Sequence, residues 1–193
     1  MKILHDIEPD LIISDVMMPK MNGFQLCRNV KNDFKLSHIP IVLLTAESSD
    51  TGRENGYKSG ADSYITKPFN MNVLRARINQ LIEQREQRKK RFNSDVLIDP
   101  KDITISPLDE KFMSKAMECI KKNMNNADYG VEAFSSDMAM ERSNLYRKMQ
   151  AVVGKTPSEF IRSIRLKRAA QLLKTKNYSV LDVSVMVGFN TMK

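Results

Sequence analysis

The chain has 193 residues, of which 41% are apolar and 28% are charged, so it can bury a core and is not composed like a disordered tail. Its two cysteines, Cys27 and Cys119, lie far apart and outside any CxxC or Cys/His cluster, which argues against a disulfide framework or a zinc site and fits a reducing compartment. No apolar stretch is long enough to span a bilayer and no signal segment opens the chain, so we expect a cytoplasmic location without membrane contact.

The basic excess of the chain, +8 in total, is concentrated in its second half. Residues 1–88 contain 12 Lys and Arg against 11 Asp and Glu, whereas residues 89–193 contain 19 against 12. Residues 141–176 alone include ten basic and two acidic residues. This asymmetry favours two domains and a polyanionic partner for the second. A solvated basic face that serves only solubility has the same composition, and charge alone does not separate the two.

The first half alternates short β-prone runs with helical segments. The predicted strands cover residues 11–14, 41–45 and 63–66, and the predicted helices cover residues 23–33, 50–59 and 70 to about 88. The strands are continuous apolar runs, not alternating ones, as expected when helices cover both faces of a parallel sheet. Residues 1–88 are therefore predicted to form an α/β domain.

The second half begins with residues 89–107, which contain a charged run followed by two prolines and are predicted to be a linker. Residues 108–193 have helical patterning throughout, with predicted helices over 109–123, 131–138, 141–153, 156–174 and 179–187. The tetrapeptide 156–159, Thr-Pro-Ser-Glu, is a capping box with proline at the first helical position. It is a specific start signal for the long fourth helix.

Polar residues stand at the ends of the three predicted strands: Asp15, Thr45 and Lys67. Open α/β sheets usually keep their sites at the carboxyl ends of the strands, so we expect these side chains to converge. A single such residue more often caps a strand or faces solvent, but the ordered set fits phosphoryl transfer. Asp15 is then the nucleophile, Thr45 donates a hydrogen bond to a phosphoryl oxygen, and Lys67 neutralises its charge.

The segments PDLIISDVMMPKMNG, IPIVLLTA and GADSYITKPF resemble the receiver domain of two-component response regulators, and the resemblance covers residues 1–88. It implies a flavodoxin-like parallel sheet whose first strand is missing here. It also implies that Asp15 is the phosphoacceptor, that Thr45 and Lys67 are its partners, and that the Lys67-Pro68 peptide is cis. Tyr64 matches the aromatic switch position of the family, which rotates inward when the hydroxyl moves toward the phosphoryl group.

Receivers bind Mg²⁺ through the phosphoacceptor, here Asp15, through the backbone carbonyl two residues later, here Met17, and through an acidic pair at the end of the first strand. The sequence begins after the position of that pair, and Asp6, Glu8 and Asp10 are poor substitutes for it. We therefore expect this chain by itself to bind Mg²⁺ weakly or not at all and to be phosphorylated poorly. We also expect an open hydrophobic sheet edge.

Residues 131–154 form two short amphipathic helices joined by a tight turn near Ala139-Met140. The second helix presents Leu145, Met149 and Val152 on one buried face. Its other side has the composition of a helix that enters the major groove, where arginine reads guanine and hydroxyls or lysine hold phosphates. An ordinary surface helix is the alternative on these residues alone. The candidate DNA contacts are Arg142, Ser143, Tyr146, Arg147 and Lys148.

The segments MERSNLYRKMQAVVGKTPSEFIRSIRLKRAAQLL and YSVLDVSVMVGFNT resemble the DNA-binding domain of AraC-family transcription factors. That resemblance covers residues 108–193 and implies an all-α fold of two helix-turn-helix units bridged by the helix 156–174. By the same resemblance, we expect the second helix-turn-helix unit to lack its recognition helix in this sequence. By resemblance, Ser143, Tyr146 and Arg147 contact bases, whereas Arg142 and Lys148 contact the DNA backbone.

A receiver followed by an AraC-type domain resembles response regulators and, more closely, the C-terminal end of Bacteroides-type hybrid two-component sensors. The resemblance implies a transcription regulator and not an enzyme, in which a histidine kinase domain, in cis or in trans, phosphorylates Asp15. Homodimerisation through the receiver then strengthens binding to paired DNA sites. The expected partners are DNA, the kinase domain and a second copy of the chain, with RNA polymerase as a further candidate.

Two other interpretations have to be weighed. A phosphatase of the haloacid-dehalogenase type shares Asp15 and Lys67 but needs a second aspartate two residues after the nucleophile, where this chain has Met17. A receiver that docks partners independently of phosphate, on a DNA-binding protein, stays open at this stage.

Overall fold

The computed structural model describes residues 2–7, 9–46, 59–94, 99–104 and 106–189. The chain divides into two compact units, Met1–Gln87 and Arg88–Lys193.

The first unit contains a parallel sheet with helices on both faces. Its elements, in chain order, are α1 (Lys2–Ile7), β1 (Ile12–Asp15), α2 (Gly23–Asn32), β2 (Ile41–Thr45), β3 (Ser63–Thr66) and α3 (Met71–Ser94). The described sheet has the order β1-β2-β3, with Asp15 beside Leu44 and Thr45 beside Thr66. The predicted α/β domain is confirmed. The predicted helix over 50–59 lies, apart from Ser59, outside the described residues.

Two hydrophobic layers hold this sheet together. On one face Ile41 and Leu43 of β2 pack with Cys27 and Val30 of α2. On the other face Val42 of β2 and Ile65 of β3 pack against Leu74 and Leu81 of α3. Because β2 is buried on both faces, its sequence is a continuous apolar run and does not alternate.

β1 is an edge strand of the described sheet. Its residue Ile13 is 44% exposed, although β-branched residues of a sheet are usually covered. This agrees with the expected hydrophobic edge.

The second unit is helical. After the end of α3 its elements are α4 (Pro100–Ile103), α5 (Pro107–Lys122), α6 (Val131–Met138), α7 (Arg142–Val153), α8 (Pro157–Lys174) and α9 (Val180–Met186). The predicted capping box is present at the start of α8, where the Thr156 hydroxyl accepts from the Glu159 N–H and the Glu159 carboxylate accepts from the Thr156 N–H. Phe160 of α8 is fully buried and stacks on Phe134 of α6 in the centre of the core.

The segment 89–107 differs from the linker that its composition predicts. The helix α3 continues through residue 94, and Phe92 is fully buried and stacks on Phe160 with 5.2 Å between ring centroids. Ile103 of α4 is buried in the same core. The charged residues that precede Phe92 make the segment resemble a solvent-exposed linker, so its single buried aromatic side chain is not evident from composition.

Candidate phosphoryl site and candidate DNA-reading helix

The structure brings the predicted phosphoacceptor and its lysine partner together at the carboxyl end of the sheet. Asp15 ends β1, and Lys67 follows directly after β3. The Lys67 ammonium donates a hydrogen bond to one Asp15 carboxylate oxygen, and the Met17 N–H donates to the other at 3.1 Å. The side chain of Asp15 is 35% exposed and that of Lys67 is 40% exposed, so a ligand can reach the carboxylate from solvent.

These two hydrogen bonds set the ionisation of Asp15. The hydrogen bond from Lys67, followed by the one from the Met17 N–H, lowers the pKa of the Asp15 carboxyl below its ordinary value. Asp15 is therefore a carboxylate at neutral pH, which is the form that acts as a nucleophile.

Thr45 lies next to this pair. It ends β2, one residue beyond the Leu44 that faces Asp15 across the sheet, and its backbone carbonyl accepts from the Lys67 N–H at 2.7 Å. Its side chain is buried. Asp15, Thr45 and Lys67 thus lie together at the carboxyl ends of the strands, as the sequence predicts. The Lys67-Pro68 peptide is cis, as the resemblance implies.

The predicted switch residue Tyr64 lies on the α2 side of β3. Its ring stacks on Phe24 with 6.2 Å between centroids and packs against the hydrophobic layer under α2. Burial raises the pKa of the Tyr64 phenol above its ordinary value, and the Ser59 hydroxyl opposes that shift. In this structure the aromatic ring is half-buried and packs on Phe24 of α2.

In the second unit, α6 and α7 are joined by a tight turn in which Ala139 adopts a left-handed conformation, with φ of 56°. The Ser135 hydroxyl of α6 donates to the Met140 carbonyl at 2.5 Å and fixes that turn. Leu145, Met149 and Val152 of α7 are buried, as their spacing predicts. The pair has the geometry of a helix-turn-helix.

The exposed side of α7 contains four of the five predicted DNA contacts. Tyr146 is 48% exposed, Arg147 bonds to Asn144 of its own helix at 2.9 Å, and Arg142 pairs with Glu132 of α6 at 3.3 Å. Arg142, the first residue of α7, borders a groove of about 490 Å³ beside this surface, where the first turns of α6 and α8 also meet. The residues around the groove are Val131, Arg142, Ser143, Tyr146, Thr156, Pro157 and Ser158.

Lys148, the fifth predicted contact, is not on that surface. Its side chain is 2% exposed, and its ammonium lies 2.5 Å from the carboxylate of Asp109, which is 1% exposed. The prediction that Lys148 holds a DNA phosphate is wrong, because its charge is buried and bound to a partner inside the domain. Lys148 follows Leu145 by three residues, and this i, i+3 spacing assigns it to the buried face.

Comparisons with known proteins identify both units. The family model of the response regulator receiver domain matches residues 1–79, and that of a helix-turn-helix domain of AraC type matches residues 134–193. The transcriptional regulatory protein SpaR of Bacillus subtilis is 32% identical over 171 residues, which cover 82% of this chain and 70% of SpaR. The chain belongs to the two-component response regulators. It combines a receiver with a DNA-binding domain of helix-turn-helix type.

Other similar proteins match different shares of this response regulator. Histidine kinase P4 of Formosa agariphila is 45% identical over all 193 residues, and the chain spans only 14% of the length of that protein. The crystal structure of the signal receiver domain of a histidine kinase from Syntrophus aciditrophicus is 41% identical, covers 42% of this chain and 62% of that chain, and has a TM-score of 0.40.

Receiver domains generally bind Mg²⁺ for phosphorylation, and the described residues of this one supply only part of such a site. No group of three or more His, Cys, Asp or Glu side chains within the described ranges is arranged to hold a metal ion. Of the predicted ligands, Asp15 and the backbone carbonyl of Met17 lie in the chain.

A further residue of the response regulator was not predicted from the sequence. Arg165 of α8 is buried, and its guanidinium donates to the backbone carbonyls of Gly188 at 3.1 Å and Asn126 at 2.5 Å. It thereby connects the bridging helix α8 to the turn after α9 and to the loop before α6.

Within the described ranges, no helix is both long and apolar enough to cross a membrane.

Proposed function

We propose that phosphorylation of Asp15 controls sequence-specific DNA binding by the exposed side of α7. The observation that supports this most directly is the hydrogen bond between Asp15 and Lys67 at an accessible sheet edge, next to Thr45. A carboxylate nucleophile, an ammonium and a hydroxyl are the groups that formation of an aspartyl phosphate requires. The chain then operates in the cytoplasm as the output part of a two-component system.

The proposed transfer is a substitution at phosphorus. A carboxylate oxygen of Asp15 attacks the phosphorus of a phosphohistidine, the phosphorus–nitrogen bond breaks, and the imidazole leaves with the electron pair and takes up a proton. The Lys67 ammonium, which now binds the carboxylate, moves to an oxygen of the bound phosphoryl group and neutralises its charge. Mg²⁺, when bound at Asp15 and the Met17 carbonyl, supplies further positive charge to the phosphoryl oxygens.

The switch that follows involves Thr45 and Tyr64. The Thr45 hydroxyl donates to a phosphoryl oxygen, and the Tyr64 ring follows into the space that the threonine leaves. This rearrangement changes the surface beside β3 and α3 and favours a receiver dimer. A dimer brings two DNA-binding domains to paired sites and raises affinity through effective concentration, without any new base contact.

The kinase that supplies the phosphoryl group is a histidine kinase domain, and the similarity to Histidine kinase P4 over the whole chain supports a kinase in cis. On the DNA side, Ser143, Tyr146 and Arg147 contact base edges, whereas Arg142 contacts the backbone. RNA polymerase is the proposed further partner at the promoter.

A mobility-shift experiment with the full-length protein tests this function. The probe is a duplex that the protein enriches from a randomised pool, and binding is measured with and without beryllofluoride, which mimics the aspartyl phosphate. We expect tighter binding with the mimic, no response to it in Asp15→Ala, and a steep loss of affinity with added salt. Salt-sensitive binding that ignores the mimic would instead assign the receiver a docking role that is independent of phosphate.

A further inference from the structure

Lys148 of α7 is buried against Asp109 of α5 and so cannot contact DNA, but this ion pair suggests another function for its charge. We propose that this pair is a positioning device: it fixes the rotation of α7 about its own axis, and so aims the exposed side chains of that helix at the base edges. The inference rests on the proposed function, because it concerns the same face of α7.

The surroundings of the pair make it a directional constraint. Both side chains are almost completely buried, and the ammonium lies 2.5 Å from the carboxylate. The other buried residues of α7, such as Leu145 and Met149, pack through apolar contacts that tolerate small shifts. A charge-assisted hydrogen bond tolerates much smaller changes in angle and distance. Among these contacts the ion pair therefore defines the rotation of the helix most sharply.

The α5 end of the pair is itself held in place. Asp109 lies in the first turn of α5, and its N–H donates to the Ser106 hydroxyl at 3.1 Å. The first turn of a helix is the end at which the helix dipole attracts a negatively charged group. Lys148 thus binds an anion whose position is fixed by a helix terminus.

α5 also holds α6, the other helix of the helix-turn-helix. The Lys115 ammonium donates to the Met138 carbonyl at 3.2 Å, and the Asn123 amide donates to the Asp137 carboxylate at 3.5 Å. α5 therefore contacts α6 and α7 through polar groups and is a common reference for the two.

Small rotations of α7 matter for reading DNA. A side-chain tip about 6 Å from the helix axis moves by about 2 Å when the helix rotates by about 20°. Hydrogen bonds to base edges are lost over such a displacement. Arg147 and Tyr146 directly precede Lys148 in the sequence, so their directions are set by the rotation that the ion pair fixes.

Stability alone is a weak reason for such a pair. Replacing a buried ion pair by apolar residues of similar volume is often neutral or stabilising, because the charges are costly to desolvate. A pair that serves only packing is therefore replaceable, whereas a pair that positions α7 is not. This difference separates the two roles in an experiment.

The test compares the full-length protein with the double variant Asp109→Leu/Lys148→Met, using the duplex enriched by the parent and a scrambled duplex of equal length. Circular dichroism establishes that the compared proteins are folded. We expect the double variant to bind the scrambled duplex within twofold of the parent and the enriched duplex at least tenfold more weakly. The control Glu118→Leu/Lys122→Met removes an exposed ion pair of α5 and leaves the ratio of the two affinities unchanged.

The outcomes separate the two proposals. A folded double variant with the affinity ratio of the parent overturns the positioning role and leaves the proposed function standing. A parent that enriches no duplex overturns the proposed function, and the positioning role with it. If the apolar variant does not fold, the double variant Asp109→Asn/Lys148→Gln decides: it removes both charges with side chains of similar size, and we expect the affinity ratio to fall at least threefold. A folded Asn/Gln variant that keeps the affinity ratio of the parent overturns the inference.

Discussion

Each unit contains one aspartate–lysine ion pair close to its proposed site: the phosphoryl site in the receiver and the DNA-reading helix α7 in the second unit. The two pairs differ most in how exposed their side chains are. The Asp15–Lys67 pair of the receiver is more than a third exposed, whereas the Asp109–Lys148 pair of the DNA-binding domain is almost completely buried. An exposed pair can open when a phosphoryl group arrives, because water compensates the separated charges. A buried pair cannot open without leaving a charge uncompensated. The same two residue types therefore serve a reactive site in one unit and a fixed framework in the other.

The largest expected effect tests the buried side of this comparison. Lys148→Met alone leaves the Asp109 carboxylate buried without its ammonium, and we expect the free energy of unfolding of the DNA-binding domain to fall by about 3–5 kcal/mol. Urea unfolding followed by circular dichroism measures this loss. Lys122→Met, which removes one partner of the exposed pair with Glu118, is the matched control and should leave the unfolding midpoint in place. Equal midpoints for the two variants would mean that burial does not distinguish the pairs.

A smaller effect is expected where the backbone packs against the exposed pair. A Cβ atom on Gly23 lies 2.4 Å from the Asp15 carbonyl oxygen and 3.0 Å from the Val16 Cα, so Gly23→Ala must displace the end of β1. We expect it to destabilise the receiver by about 1–3 kcal/mol in urea unfolding and to slow phosphorylation of Asp15.

Gly130→Ala is the control for this glycine. The nearest atom to a Cβ at position 130 is 3.9 Å away, which is ordinary van der Waals contact. Gly130 is the N-cap of α6, where glycine is preferred to alanine, so Gly130→Ala should cost only about 0.5–1 kcal/mol, below the loss expected for Gly23→Ala. An equal loss of unfolding free energy in Gly23→Ala and Gly130→Ala would mean that the backbone at the end of β1 moves to accommodate the new Cβ at little cost.

The smallest effect concerns the ionisation of the exposed pair. The pKa of the Asp15 carboxyl should lie below the ordinary value of about 3.9, and Lys67→Met should raise it. Since the folded state lowers this pKa, its contribution to stability is complete above the unfolded value and is lost as the pH falls through the folded value. A ¹³C NMR titration of the Asp15 carboxyl in both proteins measures the change. Identical titration curves would remove Lys67 as the main cause.

Much of the receiver site was predictable from the sequence. Asp15, Thr45 and Lys67 each end or follow a continuous apolar run, and parallel strands bring such positions to one edge. The packing of Tyr64 on Phe24 was not predictable, because these residues lie 40 positions apart and no short motif links them.

In the DNA-binding domain the exposed and buried faces of α7 were predictable, but Lys148 was assigned to the wrong one. Its residue type suggested a phosphate contact, whereas its spacing from Leu145 indicated the core. The deciding partner, Asp109, lies 39 residues earlier in the chain. Phe92 was missed for a related reason, since its neighbours in the sequence are charged and its neighbours in space belong to other helices.

The contacts of Arg165 have a consequence for how the sequence of this domain can drift. The two acceptors of its guanidinium are main-chain carbonyls, at Asn126 and Gly188, and every amino acid has such a carbonyl. These hydrogen bonds therefore require the arginine at position 165 and a backbone conformation at positions 126 and 188 that directs each carbonyl toward it. Gly188 is restricted because its φ is 70° and a Cβ there would lie 2.6 Å from the Met124 carbonyl oxygen. Asn126 is restricted in a different way, because its side-chain oxygen accepts from the Asp128 N–H at 3.1 Å and so shapes the loop that presents its carbonyl to the arginine.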